Sequence, residues 1–247
     1  MSSEVLTLKK IQPVYFALDF ENAEIALSFL DENQLSGIPV KVGMELYFRE
    51  GPGIIQQLKS RGHDIFLDLK LHDIPETVRR SMRNLAKLDV DVINVHAQGG
   101  AEMIQAAKRG LEEGAPEGTP VLLAVTMLTS TDQKMLQNDL LLNESLMNVV
   151  HHYSKLAETN GADGVVCSVK ESAMIKQQTT LLALTPGIRA KNAEQQDQKR
   201  VATPAEALEN GSDSIVVGRA IRDAENPRAT YIKMKEAFTY GQQTTHS

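Results

Sequence analysis

Residues 66–77 read FLDLKLHDIPET, an apolar run that ends in charge and then enters a short polar loop. Side chains on a strand alternate between its faces, so Asp68 and Lys70 project from one side, with Asp73 following in the loop. Two carboxylates and an ammonium are therefore crowded at the end of one predicted strand. Charge facing the inside of a sheet is costly unless it is paired, and Lys70 stands between two acids able to pair with it. A short D-x-K-x-x-D match taken alone is more readily a structural ion-pair network than a reactive cluster. The surrounding pattern has to decide.

Working outward, the strand Asp64 to Leu69 is followed by a helical pattern from Thr77 to Leu88, and the same alternation fills the chain. Strands are predicted at Val14 to Asp19, Pro39 to Val42, Asp64 to Leu69, Val92 to His96, Val121 to Thr126, Gly164 to Ser168, Leu181 to Thr185 and Ser214 to Gly218. Further helices are expected at Asn22 to Leu30, Ala101 to Glu112, Leu140 to Asn160 and Thr203 to Asn210. The last carries a capping box, Thr203 with Glu206, has Pro204 in its first turn and stops at Gly211. Eight strands alternating with helices predict an α/β fold, a (β/α)8 TIM barrel. With no linker, low-complexity block or shorter repeat, residues 1–247 are expected to form a single domain.

Against those strands the polar residues fall at consistent places. Asp19 closes the first, Lys41 lies near the end of the second, and Asp68 and Lys70 end the third. His96 ends the fourth, Thr126 and Thr129 follow the fifth, Arg189 follows the seventh, and Gly218 with Arg219 end the eighth. A barrel gathers all these positions at its C-terminal rim, where active sites are built. A structural ion-pair network has no need of so many separate strands, so the pattern favours a reactive cluster. The segment Ile215 to Ile221, IVVGRAI, sets Gly218 and Arg219 between a strand and a helix. There a glycine lets an anion approach the backbone and a guanidinium grips phosphate. The polar loop Thr185 to Arg200 has the length of a lid and offers Arg189, Gln198 and Arg200 to a phosphate.

Other function classes fit less well. A net charge of -6 argues against general nucleic-acid or acidic-membrane binding. The basic cluster Arg79, Arg80, Arg83 and Lys87 has helical spacing and reads as a solvated face. The single Cys167 leaves no internal disulfide. The first residues, MSSEVLTLKKIQP, lack a signal-peptide core, and no run is long enough to span a membrane, so a cytoplasmic protein is expected. Gly51 and Gly53 fail the dinucleotide fingerprint, and no metal-ligand spacing appears. His151 and His152 read as helix-surface residues, and Cys167 as a buried strand cysteine. His96 stays open between a ligand contact and a satisfied core histidine.

From Val14 to Tyr231 the chain resembles the orotidine 5′-monophosphate decarboxylase family, through ALDF, KVGMELYF, FLDLKLHDIP, NVHAQGG, AVTMLTST, DGVVCS, TPGIR, DQKRVATP and IVVGRAI in order. The resemblance implies a cofactor-free, metal-free conversion of orotidine 5′-monophosphate to uridine 5′-monophosphate and carbon dioxide. It also implies a homodimer. It maps an alternating charge array onto Lys41, Asp68, Lys70 and Asp73, with Asp73 donated across the dimer interface and Lys70 protonating C6. It implies that Asp19 and Lys41 hold the ribose, joined by Thr77 from the neighbouring chain, and that Thr129 holds the pyrimidine. Arg189, Gln198, Gly218 and Arg219 would hold the phosphate. Two alternatives stand beside it: a magnesium-dependent 3-keto-L-gulonate 6-phosphate decarboxylase, which shares the D-x-K-x-x-D array, and a catalytically silent barrel that binds a phosphorylated metabolite. The AVTMLTST and DQKR segments favour the nucleotide enzyme, and the completeness of the array disfavours the silent barrel.

Overall fold

Both faces of the first strand are apolar and both are buried. Val14 and Phe16 turn toward one core, Tyr15 and Ala17 toward another. A strand covered on both sides belongs in a parallel sheet with helices outside it. The computed structural model, which describes residues 11–189 and 201–241, bears this out.

The chain runs β1 (Val14–Ala17), α1 (Ala23–Glu32), β2 (Val40–Gly43), α2 (Met44–Glu50), α3 (Pro52–Ser60), β3 (Ile65–Leu71), α4 (Pro75–Ala86) and β4 (Val92–His96). A 3-10 turn (Ala97–Gly99) leads into α5 (Gly100–Gly114), β5 (Val121–Val125), α6 (Gln133–Asn138), α7 (Leu146–Thr159), β6 (Gly164–Val166) and α8 (Val169–Gln178). The remainder is β7 (Leu182–Thr185), α9 (Pro204–Glu209), β8 (Ser214–Val217), α10 (Arg219–Arg222) and α11 (Pro227–Tyr240). Each strand pairs in parallel with the next, and β1 pairs with β8 to close the barrel. This is the predicted (β/α)8 barrel, a single domain. Inside it, Tyr15 and Phe66 meet edge to face at 5.9 Å and pack with Ala17, Val125, Val166, Leu184 and Val216. These side chains fill the barrel, so any ligand space lies above them.

The lower, N-terminal end is held by a repeated clamp. Asp91, Asp163 and Asp213 each lie just before a strand. Each donates its N–H to a carbonyl of the preceding strand and takes the same residue's N–H on its carboxylate: Ile65, Leu122 and Ala183 respectively. A lysine completes every clamp, Lys59 at 3.3 Å, Lys108 at 2.8 Å and Lys176 at 2.8 Å. Two of the α4 arginines make intrachain ion pairs, Arg79 with Glu76 and Glu113, and Arg80 with Glu76.

One predicted helix needs correction. Leu140 to Ser145 is not helical; α7 starts at Leu146, and the shorter α6 precedes it. Leu141 takes a left-handed φ of 56°, which breaks helical continuity. Ser145 then caps α7 by accepting from the Asn148 N–H, while Gln133 bonds the Glu144 carbonyl and the Leu146 N–H across the loop. The predicted capping box of α9 is present, with Thr203 and Glu206 exchanging hydrogen bonds.

Candidate active site

The inward face of β3 carries Phe66, Asp68 and Lys70 in alternation, so the strand lifts from the apolar fill into charge. Lys70 Nζ lies 2.6 Å from Asp68 Oδ1. From β2, Lys41 Nζ reaches Asp68 Oδ2 at 3.6 Å and Asp19 Oδ1 at 2.9 Å. Acids and lysines therefore interlock in the order Asp19, Lys41, Asp68, Lys70. From β4, Asn94 Nδ2 donates to Asp68 Oδ1 at 2.7 Å, and its Oδ1 accepts from the Lys70 backbone N–H at 2.7 Å.

Burial alone pushes the Asp68 carboxyl up. The Lys41 and Lys70 charges, with hydrogen bonds from Lys70 and Asn94, outweigh burial and hold its pKa below the usual carboxylate value. For Lys41, burial pulls the ammonium down, and the Asp19 and Asp68 charges more than offset it, leaving its pKa raised. Both groups are thus charged at neutral pH. Gly43, at the end of β2, leaves room for this cluster: a Cβ there would stand 3.0 Å from Lys41 Nζ and 3.6 Å from Asp19 Oδ1.

These side chains border a cavity of about 450 Å³ whose floor is Ala17, Phe66, Val125, Val166, Leu184 and Val216, the top of the barrel fill. Opposite the charged wall lie Met127, Leu128, Thr129 and Cys167. A third side is an arginine-rich corner of Gly187, Arg189, Gly218, Arg219 and Arg222. It is braced by a bridge between Ile188 and Ala202 and by an Arg222 Nη1 bond of 3.1 Å to the Asp19 carbonyl. A Cβ on Gly218 would come within 3.4 Å of Asp19 Oδ2 and Ala17 Cβ, so the backbone there passes close to the β1 rim.

The structure thus brings Asp19, Lys41, Asp68, Lys70, Thr129, Arg189, Gly218 and Arg219 to one cavity. Asp73 and Thr77 are exposed and do not line it, and Asp73 accepts from the Ile74 N–H. Within one chain Lys70 therefore pairs with Asp68 rather than standing between two acids. Gln198 and Arg200 lie outside the described residues. Thr126 is a rim residue only by sequence: it is buried, and its hydroxyl donates to the Val166 carbonyl. His96 is half-buried with its ring 5.7 Å from that of His72, and burial, His72 and Lys70 lower its pKa. Cys167 is buried at the end of β6 and borders the cavity. Sequence reasoning missed Asn94, Gly43 and Arg222. For Asn94 a partial signal existed, a polar residue at an inward position in the middle of the run VINVH, which marks its place but not its partners.

A site at the carboxyl ends of eight parallel strands puts the chain in the class of (β/α)8-barrel enzymes. Comparison with known proteins narrows the class to one group. The chain belongs to the orotidine 5′-phosphate decarboxylase / HUMPS family, whose model matches residues 12–234. It is 52% identical over 237 residues to the orotidine 5′-phosphate decarboxylase of Streptococcus suis (strain 05ZYH33), covering 95% of this chain and 100% of the relative. It is 50% identical over 230 residues to that of Geobacillus sp. (strain WCH70), covering 92% and 96%. Among solved structures, orotidine 5′-phosphate decarboxylase from Lactobacillus acidophilus superposes with a TM-score of 0.82 at 41% identity, covering 93% of this chain and all of the other. The Pyrococcus horikoshii enzyme, at 24% identity and a TM-score of 0.70, matches in fold.

Proposed function

We propose that this chain decarboxylates orotidine 5′-monophosphate to uridine 5′-monophosphate without a cofactor, the reaction named for its relatives and the last step of pyrimidine nucleotide synthesis. The observation that carries the reading is the Lys70 ammonium, held 2.6 Å from Asp68 at the edge of an apolar-floored cavity. When the C6–carboxylate bond breaks, its electron pair stays on C6, and a positioned ammonium both stabilises that charge and supplies the proton that replaces carbon dioxide. Lys70 is assigned that proton, which its amine regains from solvent. Asp68, kept ionised by its neighbours, faces the departing carboxylate, and their repulsion is a secondary aid to its loss.

The remaining roles follow the cavity's sides. Asp19 and Lys41 bind ribose hydroxyls and Thr129 the pyrimidine, while Arg189, Gly218 and Arg219 bind the phosphate; Gln198, outside the described residues, is assigned to the phosphate from the family resemblance alone. Binding energy from the phosphate, remote from C6, is then available to align the ring over the charge array. Asp73 and Thr77, exposed and off their own cavity, are assigned to the site of a second copy in a homodimer. Ile74 between them, 68% exposed, is apolar surface that such a copy would cover.

Asp68 already receives two ammonium groups and an amide, a donor set that repels a divalent cation. That favours the metal-free nucleotide reaction over a magnesium-dependent sugar-phosphate one. Among the described residues no helix is long and apolar enough to cross a membrane. We assign the enzyme to the cytoplasm, with no membrane or nucleic-acid partner. The test is to mix the protein with orotidine 5′-monophosphate and a metal chelator and follow the orotate ultraviolet band. Rapid loss of the band is expected; no loss from folded protein overturns the reading.

A further inference from the structure

Asn94 is fully buried in the middle of β4, and both ends of its carboxamide are engaged by the residues on which the proposed chemistry rests. The orientation of the amide is dictated by its partners. The Lys70 N–H can only donate and the Asp68 carboxylate can only accept, so Oδ1 must face the first and Nδ2 the second.

The Lys70 backbone explains why such a bond is needed. Its φ is 52°, and it is the sole non-glycine residue within a strand to take a positive φ among the described residues. The pairing of β3 with β4 shifts register between Leu67 and Leu71, which takes the Lys70 N–H off the ordinary ladder. An unpaired buried N–H is costly, and so is the left-handed conformation of a residue with a side chain. The Asn94 carbonyl oxygen supplies the missing acceptor, and its amide group simultaneously fixes Asp68 Oδ1, the same atom that Lys70 Nζ touches. Strained backbone held by its surroundings is characteristic of functional sites.

We propose that Asn94 is the positioning residue of the proton donor: it holds Lys70 in its left-handed turn and Asp68 in the rotamer that receives the ammonium. This rests on the assignment of Lys70 as proton donor and adds the side chain that aims it. Asn94 is fully buried and does not border the cavity, so its loss should lower kcat and leave KM nearly unchanged, because the residues assigned to the phosphate and ribose lie elsewhere.

The experiment compares wild type, Lys70→Ala, Asn94→Ala and Asn94→Asp as full-length proteins. It measures uridine 5′-monophosphate formation across pH, together with a crystal structure of Asn94→Ala. The expected result for Asn94→Ala is a kcat loss of about 100-fold, the scale of a small misplacement of a reacting group, with Lys70 leaving the left-handed region. In Asn94→Asp the introduced carboxyl still accepts from the Lys70 N–H but repels Asp68 until it is protonated. Its deficit should therefore shrink as pH falls, a pH profile that lost packing alone does not produce. Unchanged kcat in Asn94→Ala beside inactive Lys70→Ala overturns this inference alone. Wild-type activity in Lys70→Ala, or no activity in wild type, removes the Lys70 assignment and the inference with it. If Asn94→Ala does not fold, Asn94→Asp, of nearly equal size, decides: a pH profile equal to that of wild type overturns the proposal.

Discussion

At the N-terminal end of the barrel Lys108 holds Asp163 at 2.8 Å, and Asp163 accepts the Leu122 N–H at 2.8 Å. At the C-terminal end Lys70 holds Asp68 at 2.6 Å, and Asp68 accepts from the Asn94 side chain instead. The residue types are the same and the wiring differs. Below, each of three clamp carboxylates, those of Asp91, Asp163 and Asp213, is tied to the backbone of the neighbouring strand. Above, the carboxylate's partners are side chains, two of them ammonium groups, and the cluster borders a cavity. An ion pair bound to the sheet's own hydrogen bonds serves the fold. One held by side chains over open space remains able to act on a ligand.

Substitutions at the two ends should separate activity from stability. The largest effect is expected for Lys70→Ala, with turnover lower by at least about a thousandfold, because the proposed proton donor and electrostatic stabiliser would be lost together. Its unfolding midpoint should stay close to that of wild type. Near-wild-type turnover in the folded variant would break the comparison at its upper end. At the lower end, Asp163→Ala strips a partner from Lys108 and from the Leu122 N–H, groups that are mostly buried. A loss of about 2–3 kcal/mol in denaturant unfolding is expected, with kcat per folded molecule retained. A matching fall in kcat would show that the two ends are not separable.

Gly43→Ala tests the upper end more gently. The added methyl stands 3.0 Å from Lys41 Nζ, so the ammonium must move away from Asp19 and Asp68. A drop in kcat/KM of about tenfold, equivalent to about 1.4 kcal/mol, is expected. Little change in unfolding should accompany it; unaltered kcat/KM would mean that the array tolerates displacement of Lys41.

The eight strands and the rim charges were legible because both are local patterns: an apolar run, a change of period, and a charge where the run ends. Asp68, Lys70, Arg189 and Arg219 could be assigned to one rim without coordinates. Asn94 could not, because its importance depends on the shifted register between β3 and β4 that leaves the Lys70 N–H in need of an acceptor. Gly43 matters through a distance to Lys41 that no spacing encodes. Alternation placed Thr126 on the rim, whereas its hydroxyl is spent on the Val166 carbonyl and Thr129 reaches the cavity. The false extension of α7 back to Leu140 came from leucines with helical spacing, a pattern overridden by the left-handed backbone at Leu141. The lower clamps did leave a trace, an aspartate immediately before β4, β6 and β8, but one aspartate before a strand looks like any turn residue until three align.

The smallest expected effect uses a titrating group at the lower end. His63 is only 1% exposed, its Nδ1 lies 2.7 Å from the Ile38 carbonyl, and its buried Nε2 has no hydrogen-bond partner among the described residues. Burial lowers its pKa from the ordinary 6.5, with the Arg61 charge adding to the drop and the Ile38 carbonyl opposing it. The unfolded chain therefore takes up this proton at higher pH than the native one. By linkage the histidine's contribution is complete above the unfolded value and is lost as pH falls through it toward the lower native value. His63→Gln should flatten the rise of unfolding free energy between about pH 5 and 7, while the pH profile of turnover, governed by groups at the other end, stays that of wild type. An unchanged slope would assign that pH dependence elsewhere, with half-buried His96, also lowered by burial, the next residue to substitute. A changed turnover profile would instead mean that protonation at the lower end is felt across the barrel, and the division of labour between its two rims would have to be redrawn.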